Sequence, residues 1–501
     1  MQLKTLLEDV DYQLVQGNVE QEISALIYDS RKAAPGKVFV AMKGIRVDGH
    51  SFIPQVLKAG VRVLVTERPV EEELKNSGLS EEELKQVTVV MVEEGRHALA
   101  LLSAARFDHP AKKLVMIGVT GTKGKTTTTH MIRAILLAAG KKVGMIGTTG
   151  TVIGYVVTPT LNTTPESYEL HQAFAQMVEA GCEYAVMEVS SQGIKMHRTD
   201  GLYFNYAIFT NISPDHIGPG EHADFEEYLY YKTRLLNMCG IGLVNKDDEH
   251  APQIIKAANC ELYTYSEESK EADFVASDIR YVSQPDFVGT EFHISGKYDM
   301  EVRLGIPGLF NVVNALAAVS VCSFLGLDQA RISHALENIR VNGRMEIVYT
   351  SERCTVLVDY AHNAVSMESL LSTLRDYKPK RLVCVFGCGG NRSKDRRYSM
   401  GEIGGKMADL SIITADNSRY EKVEDIIADI RGSIEKTGGK FIEIPDRREA
   451  IRYSILHAQP GDMVAVIGKG HEDYQEINGV RHHFLDREVI EETVKELGEK
   501  A

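Results

Sequence analysis

The feature that most constrains the fold is a glycine-rich segment placed directly after an apolar run. Leu114–Val119 is apolar throughout, which is typical of a strand buried on both faces of a sheet. The segment is Gly118-Val119-Thr120-Gly121-Thr122-Lys123-Gly124-Lys125-Thr126-Thr127, and a helical stretch is predicted from Lys125 to about Ala139. A strand, a glycine turn and a helix in this order form the context of a phosphate-binding loop.

This segment predicts a nucleotide site. Glycines let the backbone bend tightly beside an anion, and the N–H groups at a helix N-terminus face the phosphates. We expect Lys125 to reach the β- and γ-phosphates of ATP and the Thr126 hydroxyl to bind Mg²⁺. Val119 stands where the strict pattern has glycine, so a plain glycine turn at a helix start is the alternative. The predicted nucleotide-binding residues here are Gly121, Thr122, Lys123, Gly124, Lys125, Thr126 and Thr127.

Strand and helix patterns predict an α/β protein. A length of 501 residues suggests about three domains. Alternating buried strands and helices indicate a central parallel-sheet P-loop domain, and the alternation resumes after the turn Asn342-Gly343 as a doubly wound, Rossmann-like domain. The predicted domains are 1–107, 108–341 and 342–501. The predicted strands are Lys37–Met42, Val61–Thr66, Leu114–Val119, Val143–Ile146, Tyr184–Val189, Ala207–Thr210, Thr355–Tyr360, Arg381–Phe386, Ser411–Thr414 and Met463–Ile467.

Charge and composition narrow the partners and the compartment. A formal net charge of -14 disfavours nucleic acid and anionic membranes. Met1–Asp9 has no apolar signal-peptide core, and no apolar run approaches the roughly 18 residues of a membrane span. The seven cysteines are scattered, which fits a reducing compartment. We therefore expect a cytoplasmic, monomeric protein that binds small molecules.

The spelling Gly121-Thr122-Lys123-Gly124-Lys125-Thr126 resembles the Mur ligases, which use Gly-Thr-x-Gly-Lys-Thr at this place. The resemblance extends over essentially the whole chain and is closest to the branch that adds the third amino acid of the peptidoglycan precursor. It implies an ATP-dependent amide ligase. ATP would phosphorylate the D-glutamate carboxylate of UDP-MurNAc-L-Ala-D-Glu, and an amine would attack the acyl phosphate. In that branch asparagine is usual at the position of Lys123.

The resemblance also implies a metal and catalytic set in the central domain. Glu188 ends a predicted strand beside the phosphate loop, where a carboxylate is well placed to hold Mg²⁺. By correspondence Thr126 is a Mg²⁺ ligand too, and His216 belongs to the family's second Mg²⁺ site. Lys232, carbamylated by CO₂, is a further Mg²⁺ ligand, and Lys125 joins these residues in catalysis. From spacing alone, Lys232 would be an exposed lysine and His216 a structural histidine.

Further residues match the family's substrate and nucleotide contacts. The resemblance implies a uridine-side contact at Ser30, with another in the loop Gly44–His50, and it places Asn314 at the adenine and Asp359 near the ribose. Without it, these segments would be ordinary strands, turns and helices. Gln192 and Met196 differ from the family's usual residues. The implied contacts to the peptide end of the substrate are Asn162, Thr163, Thr164, Ser190 and Arg198.

The third amino acid is predicted from polar residues that follow strands of the last domain, where doubly wound sheets bind ligands. Their guanidinium, amide and carboxylate groups complement meso-diaminopimelate, which carries an amine and a carboxylate at its far end. Opposite lysine, Arg419 would be an unpaired cation. L-Lysine or another diamine, a related ligase such as folylpolyglutamate synthase, and a non-catalytic nucleotide-binding paralogue remain as alternatives. The residues are Arg392, Asp416, Asn417, Arg419, Gly468 and Glu472, with Ser418 where the family has proline.

Overall fold

The computed structural model describes residues 1–44 and 47–498. Ile45 and Arg46 of the predicted second substrate loop lie outside the described residues. The chain is of the α/β class, as predicted, and it divides into two compact units, Met1–Tyr265 and Ser266–Ala501.

The first unit begins with a small sheet whose described strands follow the order β1-β5-β4-β3-β2. Strands β2 to β5 are parallel and β1 is antiparallel to β5. Apolar side chains such as Val38 and Phe39 alternate between two separate cores on the two faces of this sheet. The elements are α1 (Leu3–Leu6), β1 (Gln13–Gln16), β2 (Ala25–Ile27), β3 (Lys37–Val40), α2 (Ile53–Lys58), β4 (Val63–Thr66), α3 (Glu71–Lys75), α4 (Glu81–Lys85), β5 (Thr88–Met91) and α5 (Gly95–Arg106).

The same unit continues with a larger sheet, ordered β13-β12-β11-β6-β10-β7-β8-β9. Strands β6, β7 and β10 to β13 are parallel, whereas β8 and β9 add antiparallel edges that the purely parallel prediction lacked. The elements are β6 (Val115–Thr120), α6 (Lys125–Ala138), β7 (Val143–Gly147), β8 (Gly150–Ile153), β9 (Val156–Thr158), α7 (Ser167–Glu179), β10 (Tyr184–Glu188), α8 (Ser191–Lys195), β11 (Phe204–Phe209), α9 (Phe225–Thr233), β12 (Cys239–Asn245), α10 (Ala251–Ala257) and β13 (Glu261–Ser266).

Strand β6 lies between β10 and β11, and its burial is nearly complete. Because all three strands run in parallel, their carboxyl ends meet at one edge of the sheet. The glycine loop, Glu188 and the segment after Phe209 therefore lie at that same edge, where α/β sheets bind ligands.

The second unit opens with the antiparallel strands β14 to β16 and two helices. A sheet of order β17-β18-β22-β19-β20-β21 follows, parallel except for β17, with helices between its strands. The elements are β14 (Phe274–Gln284), β15 (Phe287–Gly296), β16 (Met300–Leu304), α11 (Leu309–Phe324), α12 (Gln329–Glu337), β17 (Glu346–Thr350), β18 (Cys354–Asp359), α13 (Ala364–Asp376), β19 (Arg381–Phe386), α14 (Asp395–Met407), β20 (Leu410–Ile413), α15 (Val423–Thr437), β21 (Phe441–Glu443), α16 (Arg447–Leu456), β22 (Asp462–Ile467), β23 (Tyr474–Ile477), β24 (Val480–His483) and α17 (Asp486–Glu496).

Among the described residues, no helix combines the length and the apolar character that crossing a bilayer requires.

Candidate active site

The glycine loop has the backbone of an anion-binding turn. Gly121 and Gly124 have φ angles of +145° and +84°, a region that side chains disfavour, and a β-carbon on Gly121 would overlap the Thr210 hydroxyl. The Lys125 amine donates to the carbonyls of Gly121 (2.8 Å) and Thr122 (3.1 Å), so it arches back over the loop. The loop therefore presents its amine where an anion held by the helix N-terminus would lie.

The loop is held by the segment that follows β11. The Thr122 N–H donates to the Asn211 carbonyl at 2.9 Å, and the Lys123 N–H donates to the Asn211 side-chain oxygen at 2.9 Å. The Thr210 hydroxyl donates to the Lys123 carbonyl at 2.6 Å. These bonds use the backbone of Lys123, so they do not depend on its side chain.

Glu188 lies beside Thr126 at the end of β10. Its side chain is buried (1% exposed), and the Thr126 hydroxyl is 3.0 Å from both carboxylate oxygens. The backbone N–H and the hydroxyl of Thr148 also donate to it, at 2.9 and 3.2 Å. A carboxylate and a hydroxyl this close supply the hard oxygen ligands that Mg²⁺ prefers.

Gly147 makes room for that carboxylate. A β-carbon at Gly147 would overlap the carboxylate of Glu188, so no other residue fits there without moving it. Glycine at position 147 therefore lets the Glu188 carboxylate lie beside Thr126, where oxygen donors for a small divalent cation converge.

Lys232 is buried, which contradicts the exposed lysine expected from its spacing alone. It is 2% exposed, and its amine donates to the Gly121 carbonyl at 2.7 Å, the same oxygen that Lys125 uses. The amine also lies 4.6 Å from the centre of the Tyr228 ring. Burial, and next the positive charge of Lys125, lower the pKa of Lys232 well below its ordinary value, and Asp215 opposes them. The position favours a neutral, nucleophilic amine.

His216 lies on the exposed loop between β11 and α9, with a positive φ of 53°. Its ring centre is 6.2 Å from that of Tyr228, whose hydroxyl is 3.1 Å from the Thr122 hydroxyl. His216 and Lys232 thus both lie against Tyr228, next to the glycine loop. In this structure the Nδ1 atom of His216 contacts Glu221 at 3.2 Å.

His222 fastens the loop that carries His216. It is fully buried, its Nε2 lies 2.9 Å from the Ser191 hydroxyl, and its ring packs against Tyr228. Its backbone N–H donates to the His216 carbonyl at 3.0 Å. Burial lowers the pKa of His222, so the neutral ring holds the loop.

The predicted peptide-end residues cluster at the start of α7 and around α8. The Thr164 hydroxyl is buried, donates to the Glu188 carbonyl (3.0 Å) and accepts from the Ser190 N–H (2.9 Å). The Ser190 hydroxyl caps α8 through the Gly193 N–H. Both hydroxyls therefore have structural partners. Asn162 is exposed, and the Thr163 hydroxyl lies 3.1 Å from that of Thr148.

Arg198 reaches back to the same segment. Its guanidinium forms an ion pair with Glu166 (2.7 Å) and donates to the Thr164 carbonyl at 3.1 Å. The structure therefore brings together Thr164, Ser190 and Arg198 beside Glu188.

Ser30 begins a short 3-10 helix, Ser30–Lys32, that Asp29 caps. A cavity of about 160 Å³ lies next to it, lined by residues that include Tyr28, Lys32 and Tyr168. The Tyr28 hydroxyl donates to Glu169 of α7 at 2.8 Å, so this cavity lies where the small sheet meets the larger one.

In the second unit, Asn314 and Asp359 lie on separate elements. Asn314 is buried on α11 and donates to Asn311 at 3.3 Å. Asp359 ends β18 and accepts from the N–H groups of Met345 (2.8 Å) and Ala361 (2.7 Å). Burial raises the pKa of Asp359, and these two N–H groups oppose the rise. Asp359 thus orders the two loops beside it.

The predicted amino-acid residues form a connected network in the same unit. The Asn417 amide donates to Glu472 at 2.9 Å, and the buried amine of Lys469 lies 3.2 Å from Glu472 and 3.3 Å from the Asn417 oxygen. A β-carbon at Gly468 would lie 2.7 Å from an Asp416 oxygen, and the φ of Gly468 is +112°. Glycine is therefore required where Asp416 approaches.

Arg392 and Arg419 flank Gly389. A β-carbon there would lie 2.9 Å from the Arg419 guanidinium and 3.8 Å from Arg392. Arg419 donates to the Gly390 carbonyl at 2.8 Å and lies 3.5 Å from the carboxylate of Glu476, while Arg392 is exposed. The Arg419 guanidinium and the Arg392 side-chain stem thus both lie near Gly389, and a guanidinium suits a carboxylate ligand.

A buried ion pair supports both loops of this network. Arg447 and Asp486 are each 0% exposed in their side chains and lie 2.7 Å apart. Arg447 also donates to the carbonyls of Ala415 (3.3 Å) and Ile467 (3.0 Å), the residues that precede Asp416 and Gly468.

Three supporting residues were missed by sequence reasoning: Thr148, His222 and Lys469. Lys469 lies inside the segment Gly468–Glu472, so its position in a polar loop after a strand was a usable signal. Thr148 binds Glu188 partly through its backbone N–H, and His222 contacts Ser191 only once the loop has folded. No spacing in the sequence therefore identifies either residue.

Three family models match the chain, all of the Mur ligases. The Mur ligase family catalytic domain matches residues 22–107, the Mur ligase middle domain residues 119–322, and the Mur ligase glutamate ligase domain residues 343–470.

Curated relatives and a solved structure also point to the Mur ligase family. The UDP-N-acetylmuramoyl-L-alanyl-D-glutamate--2,6-diaminopimelate ligase of Caldanaerobacter subterraneus subsp. tengcongensis is 39% identical over 99% of both chains, and that of Clostridium perfringens 38% over 98% of this chain and 99% of its own. A solved structure of a ligase with that name is 28% identical, covers 100% of both chains and has a TM-score of 0.74. Folylpolyglutamate synthase from Mycobacterium tuberculosis, 18% identical with a TM-score of 0.56 over 74% of this chain and 92% of its own, shares the fold alone.

Proposed function

The chain belongs to the Mur ligase family of ATP-dependent ligases, and we propose that it joins meso-diaminopimelate to the D-glutamate of UDP-MurNAc-L-Ala-D-Glu. The observation that carries this proposal is the meeting of Lys125, Thr126, Glu188 and Lys232 around the Gly121 carbonyl and the glycine loop. The reaction is an amide synthesis through an acyl phosphate.

The first step is phosphoryl transfer to the substrate carboxylate. The loop N–H groups from Gly121 to Thr127 bind the phosphates, and the Lys125 amine neutralises charge that develops on the transferred group. Mg²⁺, when bound, neutralises the phosphate oxygens. Thr126 and Glu188 would hold one ion, because they already present oxygens 3.0 Å apart. His216 would belong to the second Mg²⁺ site that the resemblance implies, and Lys232 would add a metal ligand as a carbamate.

We propose that Lys232 binds the metal as a carbamate. Its neutral amine attacks the carbon of CO₂, a C–N bond forms, one proton leaves, and the product is an anionic –NH–COO⁻ group. This change replaces a neutral amine beside Lys125 with an anionic group whose oxygens can bind a metal ion. ¹³C-NMR with ¹³C-bicarbonate tests it: a carbamate signal is expected in the wild type and none in Lys232→Met. Its absence from the active wild type would refute the carbamate alone.

Different residues bind the UDP substrate and ATP. We assign the uridine of the substrate to Ser30, beside the cavity at Tyr28, and the adenine and ribose of ATP to Asn314 and Asp359. The peptide end of the substrate carries carboxylate and amide oxygens, which accept hydrogen bonds from hydroxyl, amide and guanidinium groups. The residues assigned to the peptide end are Asn162, Thr163, Thr164, Ser190 and Arg198.

The amino-acid ligand is chosen by charge. Arg392 and Arg419 receive its far carboxylate, and Asn417 and Glu472 receive an ammonium group, with Asp416 and Gly468 shaping the loops. Lys469 pairs with Glu472 in the free protein and keeps that carboxylate in place. L-Lysine lacks the far carboxylate and leaves both guanidiniums without a partner from the ligand.

We further propose that the chain works as a cytoplasmic monomer with domains 1–107, 108–341 and 342–501. Each family model lies within one of these three segments. The cysteines of the described residues are all free thiols, which fits a reducing compartment.

The test is an amide-formation assay with UDP-MurNAc-L-Ala-D-Glu, ATP and a panel of amines, followed by mass spectrometry. We expect product with meso-diaminopimelate at a rate at least about 10³-fold above that with L-lysine. Thr126→Val and Glu188→Gln should abolish it. Faster lysine incorporation would overturn the amino-acid assignment. Product from a folate and glutamate instead, or no product from any amine, would overturn the ligase assignment itself.

A further inference from the structure

A cluster of two histidines and one aspartate lies in the first unit and includes no residue of the glycine loop. His97 is on α5, and His197 and Asp200 follow α8. The Nδ1 atoms of His97 and His197 approach the same Asp200 oxygen, at 2.6 and 2.7 Å. The two rings are nearly perpendicular, at 78°, with centres 6.2 Å apart.

The geometry of the cluster is that of converging ligands. One donor atom from each residue lies within 4.8 Å of the others. His197 has a φ of +56°, an unusual backbone conformation for a histidine, and it turns this ring toward Asp200. The side chains of His97, His197 and Asp200 are 50%, 32% and 13% exposed, so the cluster is open to solvent on one side.

We propose that this cluster binds a divalent transition-metal ion of the Zn²⁺ type, through both Nδ1 atoms and the Asp200 carboxylate, with water as the fourth ligand. Two imidazoles and a carboxylate form a donor set that suits Zn²⁺ rather than Mg²⁺. Ligand atoms at about 2.0–2.1 Å from a tetrahedral ion lie about 3.3 Å apart. The nitrogens and the oxygen must therefore separate by about 0.6–0.7 Å from 2.6 and 2.7 Å, a shift that exposed side chains can make.

Binding replaces these hydrogen bonds with metal bonds. Because a nitrogen that binds the metal carries no proton, each Nδ1 proton moves to Nε2 or to solvent. The ion would tie α5 to the segment after α8. Between His197 and Asp200 lies Arg198, which holds Glu166 and the Thr164 carbonyl. The site thus fixes the backbone from which Arg198 extends, and it does not depend on the proposed ligase function.

The test uses the full-length protein, freed of metal by a chelator and kept in excess Mg²⁺ so that the oxygen-rich site at Glu188 is filled. Isothermal titration with ZnCl₂ compares the wild type, His97→Ala and His457→Ala. His457 is an exposed histidine outside the cluster, so its removal is the matched control. Circular dichroism checks that each variant is folded, which the exposure of His97 favours.

We expect the wild type and His457→Ala to bind one more Zn²⁺ than His97→Ala, or to bind it more than about 100-fold more tightly, since a direct ligand is lost. Co²⁺ should give the visible bands of four-coordinate cobalt in the wild type and not in His97→Ala. Equal Zn²⁺ binding by all three proteins, or no binding by the wild type, would show that the cluster is only an ion pair, and would overturn the proposal.

Discussion

Replacing Lys232 by arginine and, separately, by methionine separates charge from shape at the centre of the site. The amines of Lys125 and Lys232 lie 2.8 and 2.7 Å from the same Gly121 oxygen, so they are at most about 5.5 Å apart, the sum of those distances. With an effective dielectric constant of about 20, two unit charges at that distance repel by about 3 kcal/mol. Burial is the larger cause of the lowered pKa of Lys232, and this repulsion acts in the same direction.

Lys232→Arg cannot relieve this repulsion by losing its proton, because the pKa of a guanidinium stays above about 12. We therefore expect it to be less stable than Lys232→Met by about 3 kcal/mol or more, since desolvation adds to the repulsion. Both variants should lose ligase activity by at least about 100-fold, because neither can form a carbamate.

Denaturant unfolding at neutral pH measures the stability difference, and amide formation measures the activity. Lys232→Met is the matched control, because its side chain is of similar length and uncharged. Equal stability of the two variants would refute the argument from charge. Full activity in Lys232→Met would refute the catalytic role of Lys232.

Four further predictions follow from other parts of the chain. Burial lowers the pKa of His171 to about 4, so folding stability should fall as pH drops from about 6.5 toward 4, by about 3 kcal/mol in all; His171→Leu should remove that slope in pH-dependent unfolding. Arg447→Met should cost about 3–5 kcal/mol of unfolding free energy by leaving Asp486 buried and unpaired, and Arg447→Met with Asp486→Leu should recover most of it. Arg419→Leu should lower the ratio of kcat/KM for diaminopimelate over lysine at least about tenfold, and an unchanged ratio would remove Arg419 from the amino-acid site. His222→Ala should raise the Mg²⁺ concentration for half-maximal activity by about 10–100-fold, whereas a loss of kcat alone would mean that it does not position His216.

The parts of the fold that the sequence predicts well are the locally encoded ones. The apolar run Leu114–Val119 becomes the strand Val115–Thr120, and the helix begins at Lys125 as predicted, because a buried parallel strand, glycines and a helix start each have their own local pattern. The hairpins Gly150–Thr158 and Phe274–Gly296 were not predicted. β9 is exposed throughout, and β14 is only partly buried or exposed after Ala276, so neither reads as a strand buried on both faces, and their pairing depends on the rest of the sheet.

The candidate site was predictable in its residue types but not in its energetics. The loop motif identifies Lys125, the end of a buried strand identifies Glu188, and only the family resemblance identifies Lys232. The burial of Lys232 arises when its helix packs against the glycine loop. The same holds for Lys469, whose charge is compensated by Glu472 through the loop fold. Resemblance supplied the metal ligands, and the physical reason for a neutral Lys232 amine became visible only with the tertiary structure.

The most direct measurement is a crystal structure of the protein with Mn²⁺, bicarbonate and a non-hydrolysable ATP analogue, with the metal located by anomalous scattering. We predict that the analogue's phosphates lie on the N–H groups from Gly121 to Thr127, with Mn²⁺ about 2.0–2.2 Å from the Thr126 hydroxyl or the Glu188 carboxylate. Additional density should extend from the Lys232 amine toward a metal. A nucleotide bound elsewhere, or a metal remote from Thr126 and Glu188, would contradict the account.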